Sequence, residues 1–240
     1  MSGHSKWATI KRAKGITDAK RGQAFTKLSN AITIAVKQGG GNTDPSFNAS
    51  LRIAIDKAKA ANMPKDGIER AIQKGSGATG GTELFEVLYE GFAQGGAGLL
   101  IEAVTDKKQR TVAEVKSTLE KNGGTMAGQG AVSYLFQRVG EIIAPKNGKS
   151  ADDIVMVALE NNVTDYEEIE DAVVLYTEPG DLSIVKKGLE DSGIVIEDAG
   201  LVYRPMSRIE VDDESGEKLM ALIEKLEDMD DVQKVYTNLL

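Results

Sequence analysis

The 240-residue chain has no cysteine, 41% apolar residues, 28% charged residues and a formal net charge of −8. The missing thiols exclude disulfides, thiolate nucleophiles, cysteine zinc sites and iron–sulfur clusters together. No stretch approaches the roughly 20 apolar residues that cross a bilayer, so no membrane partner is expected. The net charge hides two opposed parts: residues 1–80 hold 14 Lys and Arg against 5 Asp and Glu, and the other 160 residues hold 15 against 32. A basic segment of this kind points to a polyanion partner. The charged N-terminus has no apolar run of the signal-peptide type, and the cytoplasm is the expected compartment.

Residues 1–16 show little periodicity, with Trp7, Ile10 and Ile16 isolated among Lys and Gly. They read as an arm that orders on a partner. From Asp18 the pattern turns helical: Phe25, Leu28, Ile32 and Ala35 form one apolar stripe, stopped by Gly39-Gly40-Gly41. Asp44-Pro45 is expected to start a second helix, as an N-cap followed by proline, with Phe47, Leu51, Ala54, Ile55 and Ala58 buried. Met63-Pro64 breaks it and starts a third, with Ile68, Ala71 and Ile72 inward. The expected result is a small helical bundle over residues 1–80, with the stretch Gly75–Gly81 as a flexible hinge.

Strands are expected at Leu84–Phe92 and Gly98–Thr105, paired as a hairpin, then a helix at Thr111–Asn122 and a strand at Ala131–Phe136. The order strand (Glu141–Ala144), helix (Ala151–Asn161), strands (Thr164–Ile169, Ala172–Thr177), helix (Pro179–Ser192), strand (Ile194–Tyr203) is the ferredoxin-like split pattern. A strand (Ser207–Val211), a helix (Glu214–Leu226) and a strand (Asp231–Thr237) close the chain. The fold class is therefore α+β and multidomain. The expected parts are a basic helical domain with its arm (1–80), a discontinuous α+β middle domain (81–136 plus 206–240) and a ferredoxin-like α+β domain inserted into it (137–205).

The chemistry-bearing motifs are weak. Gly75–Gly80 spells G-x-G-x-x-G, but a helix precedes it and a strand follows, the reverse of the dinucleotide fingerprint. Gly148-Lys149-Ser150 lacks the P-loop glycine, since Ile143 stands there. The single histidine, His4, can assemble neither a triad nor a histidine metal cluster. The acidic runs Glu167–Asp171, Asp212–Glu214 and Glu227–Asp231 lie at turns between elements, where carboxylates are normally solvated; an acidic-cleft enzyme or a metal-dependent factor is the remaining catalytic alternative. No catalytic residue, cofactor or metal is expected. No helix-turn-helix spacing with an Asn, Gln or Arg reading face stands out, which favours shape-based RNA over sequence-specific DNA recognition.

Several strings carry a resemblance. Gly3-His4-Ser5-Lys6-Trp7, Asp18–Gly22, Phe25–Leu28 and the run Leu51–Asp66, together with Tyr89-Glu90-Gly91, Arg110–Val115, Lys121–Gly124 and Val132–Phe136, closely resemble the YebC/PmpR family. The resemblance implies the same three domains. It also implies a regulator of gene expression: the family is labelled as probable transcriptional regulators, a mitochondrial relative activates translation of cytochrome oxidase, and bacterial members are linked to relief of ribosome stalling at proline-rich stretches. This chain departs from the family pattern at Thr9 and Arg12–Gly15, and at Gly67, where a larger polar residue is usual.

The expectation is thus a nucleic-acid-binding protein, with ribosomal RNA or the ribosome favoured and a DNA-binding transcriptional regulator as the alternative. Lys6, Lys11, Arg12, Lys14, Lys20, Arg21 and Lys27 would meet phosphates, and His4 and Trp7 would stack on bases. Met63, Pro64 and Lys65 would form a projecting turn. The acidic C-terminal parts would face a basic protein surface.

Overall fold

The computed structural model describes residues 18–78 and 83–240, with side chains from residue 21 onward. The described residues form seven α-helices and two four-stranded antiparallel sheets. The chain divides into two compact units: Gln137–Arg204, and the residues up to Phe136 together with Pro205–Leu240.

Three helices open the larger unit: α1 (Asp18–Gln38), α2 (Ala49–Ala60) and α3 (Lys65–Gly75). Their shared core is Ile32, Ala35, Val36, Leu51, Ala54, Ile55, Ala58, Ile68 and Ala71. Helix α2 starts later than Asp44-Pro45 suggests. Asn48 is its N-cap, accepting from Leu51 N–H at 3.0 Å and donating to the Ala35 carbonyl of α1 at 2.9 Å. Asp44 instead caps an isolated turn, accepting from Ser46 N–H at 2.8 Å. Phe47 therefore lies outside the helix and is 82% exposed, not buried. The side chain that bonds two elements at once decides where the helix begins.

Helix α1 is buried at five consecutive positions, Ile32 to Val36, which a one-sided stripe cannot produce. One side faces α2 and α3. The other packs Ile34 against Leu84 and Val104. Gly75 ends α3 against α1, where an added Cβ would lie 2.7 Å from Thr33 O and from Val36 Cβ. The start of the glycine-rich stretch is thus a close helix contact; its residues 79–81 lie outside the described ones.

The first sheet has four strands. Strands β1 (Phe85–Phe92) and β2 (Gly98–Thr105) form the expected hairpin, with register Phe85↔Thr105 to Phe92↔Gly98. Strands β3 (Thr125–Ala127) and β8 (Val232–Thr237) complete the sheet in the order β3-β1-β2-β8, and helices α4 (Lys108–Lys121) and α7 (Asp213–Glu227) pack on it. Leu99, Ile101 and Ala103 of β2 join Val115, Leu119, Leu219, Leu222, Ile223 and Leu226 in the core under α4 and α7. Val104 has the opposite parity on β2 and faces α1. Two expected strands are absent. Ser133–Leu135 is a short 3-10 turn and the next strand begins only at Phe136; Ser207–Val211 keeps a single bridge, Ile209 to Leu239.

In the smaller unit, β4 (Phe136–Pro145), α5 (Ala151–Glu160), β5 (Asp165–Glu168), β6 (Ala172–Thr177), α6 (Leu182–Asp191) and β7 (Asp198–Pro205) give the sheet order β5-β6-β4-β7. Strand β7 begins at Asp198 instead of Ile194, because Gly193 takes a positive φ of 77° and Ile194 N–H caps the end of α6 on the Leu189 carbonyl.

Candidate nucleic-acid interface

The expected binding residues His4, Lys6, Trp7, Lys11, Arg12 and Lys14 lie outside the described residues, as does the side chain of Lys20. Arg21 is exposed on the first turns of α1. Lys27 is partly buried and donates from Nζ to the Glu227 carbonyl at the end of α7. One turn earlier, Gln23 Nε2 donates to the Asp228 carbonyl and lies 3.4 Å from Asp230 Oδ1. Gln23, Lys27, Ile34, Lys37 and Gln38 fall on one side of α1 at 3.6-residue spacing. At the far end of that side Lys37 pairs with Glu83 at 3.0 Å and donates to Leu84 O at 2.9 Å, and Gln38 donates to Glu86.

The turn between α2 and α3 is built by the sequence Ala61-Asn62-Met63-Pro64. Asn62 adopts φ 58°, Asn62 N–H donates to Lys59 O, and Met63 N–H donates to Ala58 O at 2.9 Å. This is the paired-bond C-terminal cap, with asparagine tolerating the left-handed conformation. Met63 packs back on the bundle core, so it anchors the turn instead of projecting from it. Its methyl end lies over Gly67, where an added Cβ would come to 3.0 Å. Pro64 supplies the extended ψ of 142° that precedes α3. Lys65 projects: its side chain is 88% exposed and, among the described residues, is tied only by a 3.5 Å pair with Glu69. Lys59 and Arg70 are exposed nearby in sequence.

The motifs of the middle region brace the fold. Glu90, 4% exposed on β1, accepts from the N–H groups of Gly130 (2.7 Å), Val132 (2.6 Å) and Ser133 (2.9 Å). Burial alone would raise this carboxyl, but the three donors outweigh it and hold it below the ordinary glutamate range. Asp231 accepts from Arg110 Nη2 (2.8 Å), Thr111 Oγ1 (2.6 Å) and Thr105 Oγ1 (3.0 Å). Burial again opposes and the donors prevail, so Asp231 is also held low. These two carboxylates explain Tyr89-Glu90-Gly91 and Arg110-Thr111 as structural motifs, a role that neither string reveals without its distant partner.

An open cleft of about 470 Å³ is lined by Arg110, Glu114, Asp228, Met229, Asp230 and Asp231. Of its carboxylates, Asp231 already accepts three donors on Oδ2. No group of three or more His, Asp or Glu side chains among the described residues is arranged to hold a metal ion. No helix of the described residues is long and apolar enough to cross a membrane.

Comparison with known proteins bears on this arrangement. Residues 5–78 match the model of the TACO1/YebC protein N-terminal domain, and residues 84–239 match that of the TACO1/YebC second and third domain. The chain belongs to the TACO1/YebC family. A relative from Bifidobacterium animalis subsp. lactis, named a probable transcriptional regulatory protein, is 47% identical over 99% of this chain and 94% of its own length. One from Acidithiobacillus ferrooxidans with the same name is 47% identical with the same coverage. A crystal structure of a conserved hypothetical protein from Aquifex aeolicus superposes with a TM-score of 0.87 at 41% identity, covering 93% of this chain and 91% of that one. As a TACO1/YebC protein the chain falls among regulators by the names of its relatives, and its α+β multidomain class is that of a solved structure.

Proposed function

We propose that this TACO1/YebC protein acts by binding RNA and the ribosome through its basic N-terminal bundle and arm, and not by catalysis. The observation that carries the reading is the cationic surplus of the bundle. Residues 18–78 hold ten Lys and Arg against five Asp and Glu, and residues 1–17 add four more cations with no acid. Lys59, Lys65 and Arg70 stand exposed around the α2–α3 turn. Lys and Arg near phosphates release condensed counterions, so the binding is steeply salt-dependent. In this reading His4 and Trp7 of the arm stack on bases, and Lys65 probes the bound site from a turn that Met63 holds rigid.

Two finer readings go with it. The strand order β5-β6-β4-β7 supports a ferredoxin-like domain over 137–205, inserted into a middle domain of 81–136 with 206–240, beside the helical domain of 1–80. The acidic inserted part, with six Lys and Arg against fifteen Asp and Glu over 137–204, suits a basic protein surface in the same cytoplasmic assembly.

The relatives' name favours a second reading, a DNA-binding transcriptional regulator using the same cations. The test is competition at about 150 mM salt among ribosomes, structured ribosomal RNA and random duplex DNA. Capture by ribosomes or RNA supports the proposal. Preference for one duplex over random DNA by about 10³ or more replaces it with the transcriptional reading.

A further inference from the structure

We infer that nucleic acid and the end of α7 compete for the same face of α1, so that docking of the first half of α1 on the acidic turn Glu227–Asp231 restrains binding in the free protein. The inference rests on the nucleic-acid reading above and names a regulatory contact within it.

The two halves of α1 are held differently. From Arg21 to Ala31 no residue is buried, whereas Ile32 to Val36 all are. The second half is fixed by apolar packing of Ile34 on Leu84 and Val104, backed by the Lys37–Glu83 pair. The first half meets the end of α7 through polar groups, Lys27 on the Glu227 carbonyl and Gln23 on the Asp228 carbonyl and the Asp230 carboxylate, while its Leu28 packs on the bundle core. A helix C-terminus offers carbonyls with no partner in the helix and a partial negative charge, so a lysine there is well placed. Polar contacts at a solvated edge are nevertheless weak, and salt screens them.

The acidic run supplies four carboxylates in five residues. Asp231 is turned inward onto Arg110, Thr105 and Thr111, while Asp228 and Asp230 remain exposed beside α1. The Glu227 carbonyl at Lys27 and the Asp230 carboxylate at Gln23 present to α1 the kind of anionic surface that a phosphate backbone presents. A polyanion on the basic face must displace them or be repelled by them. The cost of displacement is small because the contacts broken are polar ones.

The chain has no cysteine, so Gln23→Cys with Asp230→Cys creates the only two thiols. A short bismaleimide joins them and locks the docked state. Anisotropy of a labelled RNA hairpin then compares the cross-linked protein, the same double variant left open, and each single variant treated with the reagent. The locked protein is expected to bind about tenfold more weakly than the open one, the loss of one or two charged hydrogen bonds to phosphate. Asp228→Asn with Asp230→Asn is expected to bind severalfold more tightly than the parent at low salt. Equal affinity of locked and open proteins, with no gain from the two asparagines, overturns the inference and leaves the nucleic-acid reading intact. If the open protein binds neither the RNA hairpin nor a DNA duplex, the nucleic-acid reading falls and the competition falls with it.

Discussion

The helical bundle and the unit Gln137–Arg204 are both rich in charge, but they dispose of their minority and majority charges differently. In Gln137–Arg204 four of the six cations, Lys146, Lys149, Lys186 and Arg204, are held by the fold. Arg204 is held by Asp165 at 2.7 Å and Glu167 at 3.2 Å, and its guanidinium stacks 3.8 Å from the Tyr176 ring centroid. Lys146 pairs with Glu168 at 2.7 Å, and Lys186 with Glu190 at 3.3 Å. In the bundle the cations outnumber the acids, and Lys59 and Lys74 have no ion-pair partner among the described residues. Charge spent on internal pairs serves the fold; charge left over is available to a partner.

The comparison breaks most visibly in the arm. Lys11→Ala, Arg12→Ala and Lys14→Ala combined should lower the log–log salt slope of RNA binding by about 2 to 3 and weaken ribosome capture severely, while leaving thermal unfolding unchanged. Parental ribosome affinity in that variant would remove the function assigned to the surplus charge. Next is the packing that seats the bundle. Gly75→Ala drives a Cβ to within 2.7 Å of Thr33 O and Val36 Cβ, and should cost about 1–3 kcal/mol in urea unfolding.

Arg204→Ala tests the opposite case, a cation that the fold consumes. It leaves Asp165 and Glu167 without their shared partner and uncovers Tyr176, at a cost of about 1–2 kcal/mol with RNA binding unchanged. Burial pushes Asp165 up, but Arg204 and the Tyr166 N–H hold it below the usual carboxylate range. A carboxyl lower in the folded than in the unfolded state stabilises above its unfolded pKa, and that stability is lost as pH falls through the folded value. Asp165, Glu90 and Asp231 therefore all predict a protein of constant stability near neutrality that weakens on acidification. Arg204→Ala should flatten part of that decline, as measured by urea midpoints at neutral and acid pH.

The smallest effects separate packing from surplus charge within the bundle. Gly67→Ala meets only the flexible end of Met63 at 3.0 Å, so helix propensity should gain up to about 1 kcal/mol. Lys59→Ala should change stability by no more than about 0.5 kcal/mol. It should still weaken RNA binding measurably if the exposed surplus is the interface.

Much was legible in the residues alone. Strands β2 and β6 have the bounds that the runs Gly98–Thr105 and Ala172–Thr177 suggest, because each is an apolar stretch bounded by turn or charged residues. The stop of α1 before its three glycines, the β1–β2 hairpin and the charge division of the chain are local properties, and local chemistry decides them. What required the tertiary structure was every feature with two distant partners. Asn48 caps α2 because it also reaches Ala35, and Phe47 is expelled as a result. Ile34 is buried because Leu84 and Val104 are beneath it, which made α1 a two-sided helix instead of a one-sided one. Glu90 is a brace because the loop from Gly130 to Ser133 folds onto it. Lys27 and Gln23 meet the end of α7 across some 200 residues of chain, a separation of 200 for Lys27 and Glu227, and no periodicity encodes such a meeting. A pattern of apolar spacing states which side of an element is covered first; only packing decides what covers the other side.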